Sequence, residues 1–97
     1  MITILIRPAA AADLQDAFDW YEKQRSGLGA EFREAVREKL RDIAAEPMLY
    51  QVVHRDTRRA LLRRFPYGLY YRIYPGMVVV VACMHGRRSP RRWKARA

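Results

Sequence analysis

The sequence predicts an α+β domain in which a short N-terminal strand and an α-helical hairpin pack on a C-terminal antiparallel sheet of three to four strands. Three observations carry this. Between Arg58 and Met84 lie three runs rich in β-branched, aromatic or Leu residues, broken at Phe65–Pro66 and Pro75–Gly76, which is the pattern of a meander. Before Pro47 come two stretches with apolar residues at helical spacing, separated by Ser26-Gly27-Leu28-Gly29. The middle strand of the meander alternates. Tyr67, Leu69, Tyr71 and Ile73 form a core face, whereas Gly68, Tyr70, Arg72 and Tyr74 form a mixed aromatic and cationic face expected to meet a partner.

Taken in order, Ile2–Arg7 alternates weakly and is expected as a short strand at the sheet's edge. Pro8 suits the first position of a helix, where its missing N–H would have no partner anyway. Helix one is expected over Ala9–Gln24, burying Leu14, Phe18 and Tyr21, with Asp13 and Asp16 favourably placed near its positive end and Trp20 flanking the core. Helix two is expected over Ala30–Glu46 with Phe32, Val36, Leu40 and Ile43 inward. Its outer face sets the row Arg33, Arg37, Arg41 against Glu34, Glu38, Asp42, so pairs such as Glu34–Arg37 and Glu38–Arg41 make it a solvated face. Pro47 stops it, and Met48–Thr57 reads as a linker with extended structure at Tyr50–Val53.

The last strand, Met77–Met84, is apolar on both faces if alternation holds, with Met77, Val79, Val81 and Cys83 on one and Val78, Val80, Ala82 and Met84 on the other. Such a strand is covered twice. The helices cover one side; the other cover is the Arg87–Ala97 tail, an oligomer or a partner segment. The tail itself is too charged for a core, although its Trp93 suits stacking on a base or docking on the sheet.

Bulk properties narrow the function classes. The 97 residues make one domain, 1–97, with a basic tail at 87–97, and 51% hydrophobic content argues against disorder. Lone Cys83 permits no internal disulfide and suits a reducing cytosol, and no stretch has the length of a membrane span, so a soluble cytoplasmic protein is expected. Residues 1–50 carry seven Lys or Arg against nine Asp or Glu, a net −2; residues 51–97 carry twelve against Asp56 alone, a net +11. That segregated field points to a polyanion or an acidic protein. Two His, one Cys and the absence of a phosphate-cradling glycine loop leave no metal or cofactor site to expect.

The ordered set of Asp13-Leu14, Trp20-Tyr21-Glu22, Gly27-x-Gly29…Phe32, Ala45-Glu46-Pro47, Arg58-Arg59…Arg63-Arg64-Phe65-Pro66-Tyr67, Tyr70-Tyr71-Arg72 and His85…Arg87-Arg88…Trp93 resembles the RelE/ParE superfamily, the toxins of type II toxin–antitoxin (plasmid stabilisation) modules. The resemblance implies a compact α+β toxin held inactive in a hetero-oligomer by a cognate antitoxin, whose acidic, partly apolar C-terminal arm lies over the toxin. Tyr70, Arg72, Tyr74, Val78, Val80 and Met84 are the residues expected beneath that arm.

The same resemblance implies one of two activities: poisoning DNA gyrase, as ParE-like members do, or metal-independent cleavage of mRNA on the ribosome, as RelE-like members do. The cleavage needs basic groups and a proton carrier at a ribose 2′-OH. Arg59, Arg87 and His85 would fill those roles here, but Gly68 and Leu61 stand where further cations are expected, and Trp93 stands for a tyrosine. Lacking a complete set, the chain reads as a ParE-like binding inhibitor rather than an enzyme, with a RelE-like endoribonuclease as the alternative. Arg58, Arg63, Arg64, Arg88, Arg91, Arg92 and Trp93 are the expected contacts to the target or to nucleic acid. They equally permit a third reading, a non-toxic basic module that binds nucleic acid.

Overall fold

Pro8 marks the point where the chain turns from sheet to helix. The structure, a computed structural model describing residues 2–86 and 90–96, places β1 at Thr3–Ile6, α1 at Pro8–Gln24, α2 at Leu28–Ala45, β2 at Gln51–His54, β3 at Thr57–Leu61, β4 at Tyr67–Tyr74, β5 at Met77–His85 and α3 at Pro90–Arg96. Five strands form one sheet in the order β1-β5-β4-β3-β2. β3, β4 and β5 are the expected antiparallel meander, while β1 runs parallel to β5 along the edge. The sheet is thus mixed and larger than three or four strands. Its extra strand, β2, has only four residues and turns into β3 through Arg55 at φ 51°, a signal too short to separate from a linker.

The hairpin seats α1 and α2 on one sheet face. Ala10, Ala17 and Tyr21 of α1 and Phe32, Val36 and Ile43 of α2 are buried with Ala60, Leu69, Tyr71, Val78, Val80 and Cys83. The two alanines let α1 lie close to the sheet, and Phe18, expected in this stripe, turns instead into the cleft between the helices. The connection is fixed by Glu22, whose carboxylate accepts the N–H groups of Gly27 at 3.2 Å and Gly29 at 2.8 Å, satisfying donors exposed at the start of α2. Gly29 is required by proximity: a Cβ there would sit 2.8 Å from the Phe18 carbonyl oxygen.

β5 departs from strict alternation. Tyr70 pairs with Ala82 but Tyr71 with Val80, so Val81 is an extra residue, a β-bulge. Val78, Val80 and Cys83 therefore face the helices, while Val79, Val81, Ala82 and Met84 face away. This corrects the expected grouping beyond residue 81.

The second face is covered by the chain's own tail. α3 lays Trp93 on Tyr70 with ring centroids 4.7 Å apart and planes 19° from parallel, and both side chains are buried with Val79, Val81, Ala82 and Met84. Of the three covers expected, the tail is the one the fold uses. Arg91, Arg92 and Lys94 of α3 stay exposed while Trp93 reaches in.

β1 pairs with β5 only as far as Ile6–Val80. Beyond it, the Cys83 N–H donates to Asp13 Oδ2 at 3.0 Å, and Arg96 of α3 donates to both oxygens of the same carboxylate at 2.5 and 3.3 Å. Asp13 thus joins α1, the bulged strand and α3.

Burial pushes the Cys83 thiol up from 9.0 to about 12, with the Asp13 carboxylate adding to the effect, and burial pushes the Tyr71 phenol from 10.0 to about 12, opposed by the Arg58 cation. An unfolded chain releases these protons at lower pH than the native one. Stability is therefore fully present below about pH 9 and declines as pH rises toward 12. Urea titrations at stepwise higher pH should show the midpoint falling across that window. Native Cys83 should resist iodoacetamide at pH 8 and react once the protein unfolds; rapid native labelling would contradict its burial.

Candidate functional site

Where β1 stops pairing, a cleft opens between α1 and α3 along the C-terminal half of β5. It encloses about 470 Å³ and is lined by Asp13, Asp16, Trp20, Tyr67, His85 and Arg92 among others. Pro66, Tyr67 and His85 also border a smaller hollow of about 240 Å³ that contains Arg59, Leu61, Phe65 and Gly86. The His85 and Tyr67 rings meet edge to face with centroids 5.7 Å apart. Trp20, expected to flank the core, is 55% exposed and stands edge-on to Tyr21 at 5.1 Å, so it presents its indole at the cleft mouth.

Two of the expected catalytic residues, Arg59 and His85, therefore border one hollow. Arg87 and Arg88 lie outside the described residues. Gly68 stands where a further cation is expected. A Cβ at that position would meet Arg59 Cγ and Leu61 Cδ2, each at 3.2 Å, so in this chain the stem of Arg59 and the Leu61 methyl pack over the glycine. Across the cleft stand the carboxylates of Asp13, already paired with Arg96, and of Asp16, with Arg92 on the same lining.

Charge counted along the chain also overstates the cations available to a polyanion. Arg58 donates to the carbonyl oxygens of Met48 at 3.1 Å and Tyr50 at 2.7 Å, pinning the start of β2. Arg64 pairs with Glu31 at 2.7 Å; together with Arg25 it holds that carboxyl below the ordinary carboxylate range. Arg72 pairs with Asp56 at 3.5 Å. Arg59, Arg63, Arg91 and Arg92 form no ion pair with another described residue, and the last two are exposed on α3. Trp93, expected as a target contact, is 6% exposed and engaged with Tyr70.

The residues expected beneath an antitoxin arm are likewise redistributed. Val78 and Val80 face the helices in the core, and Tyr70 and Met84 lie in the core on the α3 face, so none of these four is open surface. The alternation that grouped them ignored the bulge, and of the three covers open to the second face the chosen one was a partner rather than the tail. Arg72 and Tyr74 remain half-buried at the sheet margin. Asp13 and Asp16 escaped notice because an acidic pair in a helix's first turns reads as a response to the helix dipole; only tertiary structure reveals the Arg96 and Cys83 contacts of Asp13. Among the described residues no group of three His, Cys, Asp or Glu is placed to hold a metal ion, and no helix is long and apolar enough to cross a membrane.

A strand, a helical hairpin and a four-strand antiparallel unit, with the first strand parallel to the last, define the toxin fold of the RelE/ParE superfamily. The chain is similar to a solved chain described as the chromosomal ParDE TA system from P. aeruginosa, at 16% identity and TM-score 0.66, covering 88% of this chain and 96% of that one. It is also similar to the isolated E. coli RelE toxin, at 19% identity and TM-score 0.68, covering 98% and 95% respectively. No curated protein sequence matches. The family model described as the ParE toxin of the type II toxin–antitoxin system parDE matches residues 4–90, and the chain belongs to that family. It is a type II toxin of the RelE/ParE superfamily, and that membership implies an antitoxin partner.

Proposed function

We propose that this toxin arrests growth by binding and poisoning DNA gyrase in the cytoplasm, without chemistry of its own, and that its antitoxin relieves the block. The observation that carries the reading is that, among the described residues, Gly68 and Leu61 stand where a nuclease of this fold would need further cations, leaving Arg59 and His85 in the hollow beside them. Membership of the ParE family supports the same target. The cleft, with Trp20 at its mouth and Arg92 on its rim, is the face we assign to the target, since an exposed indole beside an exposed cation suits a protein interface.

Purified protein is expected to inhibit gyrase supercoiling or trap cleaved DNA, and Trp20→Ala with Arg92→Ala to weaken that inhibition while leaving the fold intact. No effect of the wild type at stoichiometric excess would remove the gyrase reading. One observation favours the RelE-like alternative, namely that Arg59 and His85 share a hollow. It requires codon-phased mRNA cuts after induction that disappear in Arg59→Ala.

A further inference from the structure

Among the described residues Lys39 is the only charged one that is buried, at 8% exposure. Its ammonium rests 5.4 Å from the centre of the Tyr50 ring and 3.8 Å from Asp42 Oδ2. The second distance is an ion pair too long for a hydrogen bond. Burying an ammonium without a close acceptor is costly, so its placement asks for a reason. Lys39 lines a hollow of about 350 Å³ between the second half of α2 and the turn from β3 to β4, which shares no residue with the target cleft. Arg41, Arg63 and Arg64 line the same hollow, with Glu38 and Asp42 as its carboxylates. Four cations against two anions leave the lining positive. The arginines are not committed elsewhere. Arg63 forms no ion pair with another described residue, and the contacts of Arg41 to Glu34 at 3.5 Å and of Arg64 to Glu31 at 2.7 Å are exposed pairs of the kind that exchange readily. Beneath Lys39, Tyr50 is pinned by the Arg58 donor on its carbonyl, so the buried cation is fixed before any ligand arrives.

We propose that this hollow receives a phosphate of the DNA backbone, so that the toxin grips the DNA its target holds as well as the target itself. The inference deepens the gyrase reading and rests on it only for where that DNA is met. A phosphodiester has two non-bridging oxygens that the planar fork of Arg63 can take as a pair, while the Lys39 ammonium donates from below. The hollow is roomier than a lone carboxylate needs and has space for a sugar with its phosphate. No aromatic ring lines it, so bases find nothing to stack on and the contact is independent of sequence. Glu38 and Asp42 limit its strength. Asp42 is answered by Lys39, but Glu38 forms no ion pair with another described residue and opposes an incoming anion.

The test titrates the full-length toxin against a short labelled duplex of mixed sequence, followed by fluorescence anisotropy at several salt concentrations. Lys39→Met with Arg63→Ala is expected to bind about tenfold more weakly. The slope of log affinity against log salt should also flatten by about 0.9, the share of one phosphate. Methionine keeps the packing of the lysine stem, and an unchanged circular dichroism spectrum checks the fold. Should the pair fail to fold, Arg63→Ala alone, at an exposed turn position, is expected to move both readings in the same direction. Arg33→Ala with Arg37→Ala removes the same charge from another part of α2 and should lose less affinity. Glu38→Gln should tighten binding, since it removes an opposing charge. A double variant that binds the duplex like the wild type, or loses no more than the Arg33 and Arg37 pair, would overturn the site and leave the gyrase reading standing. Inorganic phosphate or a mononucleotide binding as tightly as the duplex would assign the hollow to a small ligand and overturn the DNA source. Antitoxin binding lost in the double variant while DNA binding persists would give the hollow to the antitoxin, against the proposal. Duplex binding that depends on Lys39 and Arg63 in a toxin without effect on gyrase would keep the site and remove the gyrase reading.

Discussion

Trp93→Ala is expected to lower the unfolding free energy by about 3–5 kcal/mol, the range for deleting a buried aromatic. The indole is 6% exposed, stacked on Tyr70 and edge-on to His54 at 6.1 Å. It is also the one buried residue of α3, a helix of seven residues. A helix that short has no stability of its own, so what holds it is this ring together with the Arg96–Asp13 pair. The loss should therefore be regional. Amides of the α3 face should exchange faster than those beneath the hairpin, and the blue-shifted part of the tryptophan emission should vanish, leaving exposed Trp20. Trp93→Phe should recover much of the stability. A change below about 1 kcal/mol in urea titration would mean that the indole is not buried as described.

Phe32→Ala is expected to cost a similar amount, about 3–5 kcal/mol, by a different route. Phe32 is 1% exposed at the junction of the hairpin and the sheet, with ring centroids 5.3 Å from Tyr21 and 5.4 Å from both Phe65 and Tyr67. Removing it empties the centre of a four-ring cluster that no single neighbour can refill. Domains of this size have total stabilities of about 5–15 kcal/mol, so the variant should be close to unfolded at physiological temperature and lose all cooperative structure together. The contrast with Trp93→Ala is itself a test. Global loss for Phe32 and regional loss for Trp93 should appear as different exchange patterns; a local effect at Phe32 would mean that the helices are not anchored through this cluster.

The parts of the fold read correctly in advance are those where one strong period acts over many residues. Phe32, Val36, Leu40 and Ile43 fix the buried face of α2, and Tyr67, Leu69, Tyr71 and Ile73 fix the core face of β4. What escaped was governed by single residues. One extra residue at Val81 reverses the orientation of everything after it, and no local pattern announces a bulge. α3 carries four cations in seven residues, so the sequence leaves the tail as one of three covers, and it is Trp93 together with the Arg96–Asp13 pair that seats it. The candidate site was less legible than the fold because a sequence states charges but not their neighbours. Arg58 and Arg64 look like polyanion contacts until their partners, two carbonyls and Glu31, are seen. Gly68 was legible as the absence of a cation; that Arg59 and Leu61 pack over it was not.

The pairing of the first strand with the last has a bearing on how the protein is born. Thr3 lies opposite Met77, so strands that must share hydrogen bonds are 74 positions apart in the chain. While a nascent chain emerges, the helical hairpin can form early from local contacts, but β1 has no lane until β5 has been made. A prematurely terminated copy ending before Met77 would leave that strand and the hairpin's apolar underside without a seat. Such fragments should be degraded rather than accumulate as partly active poison.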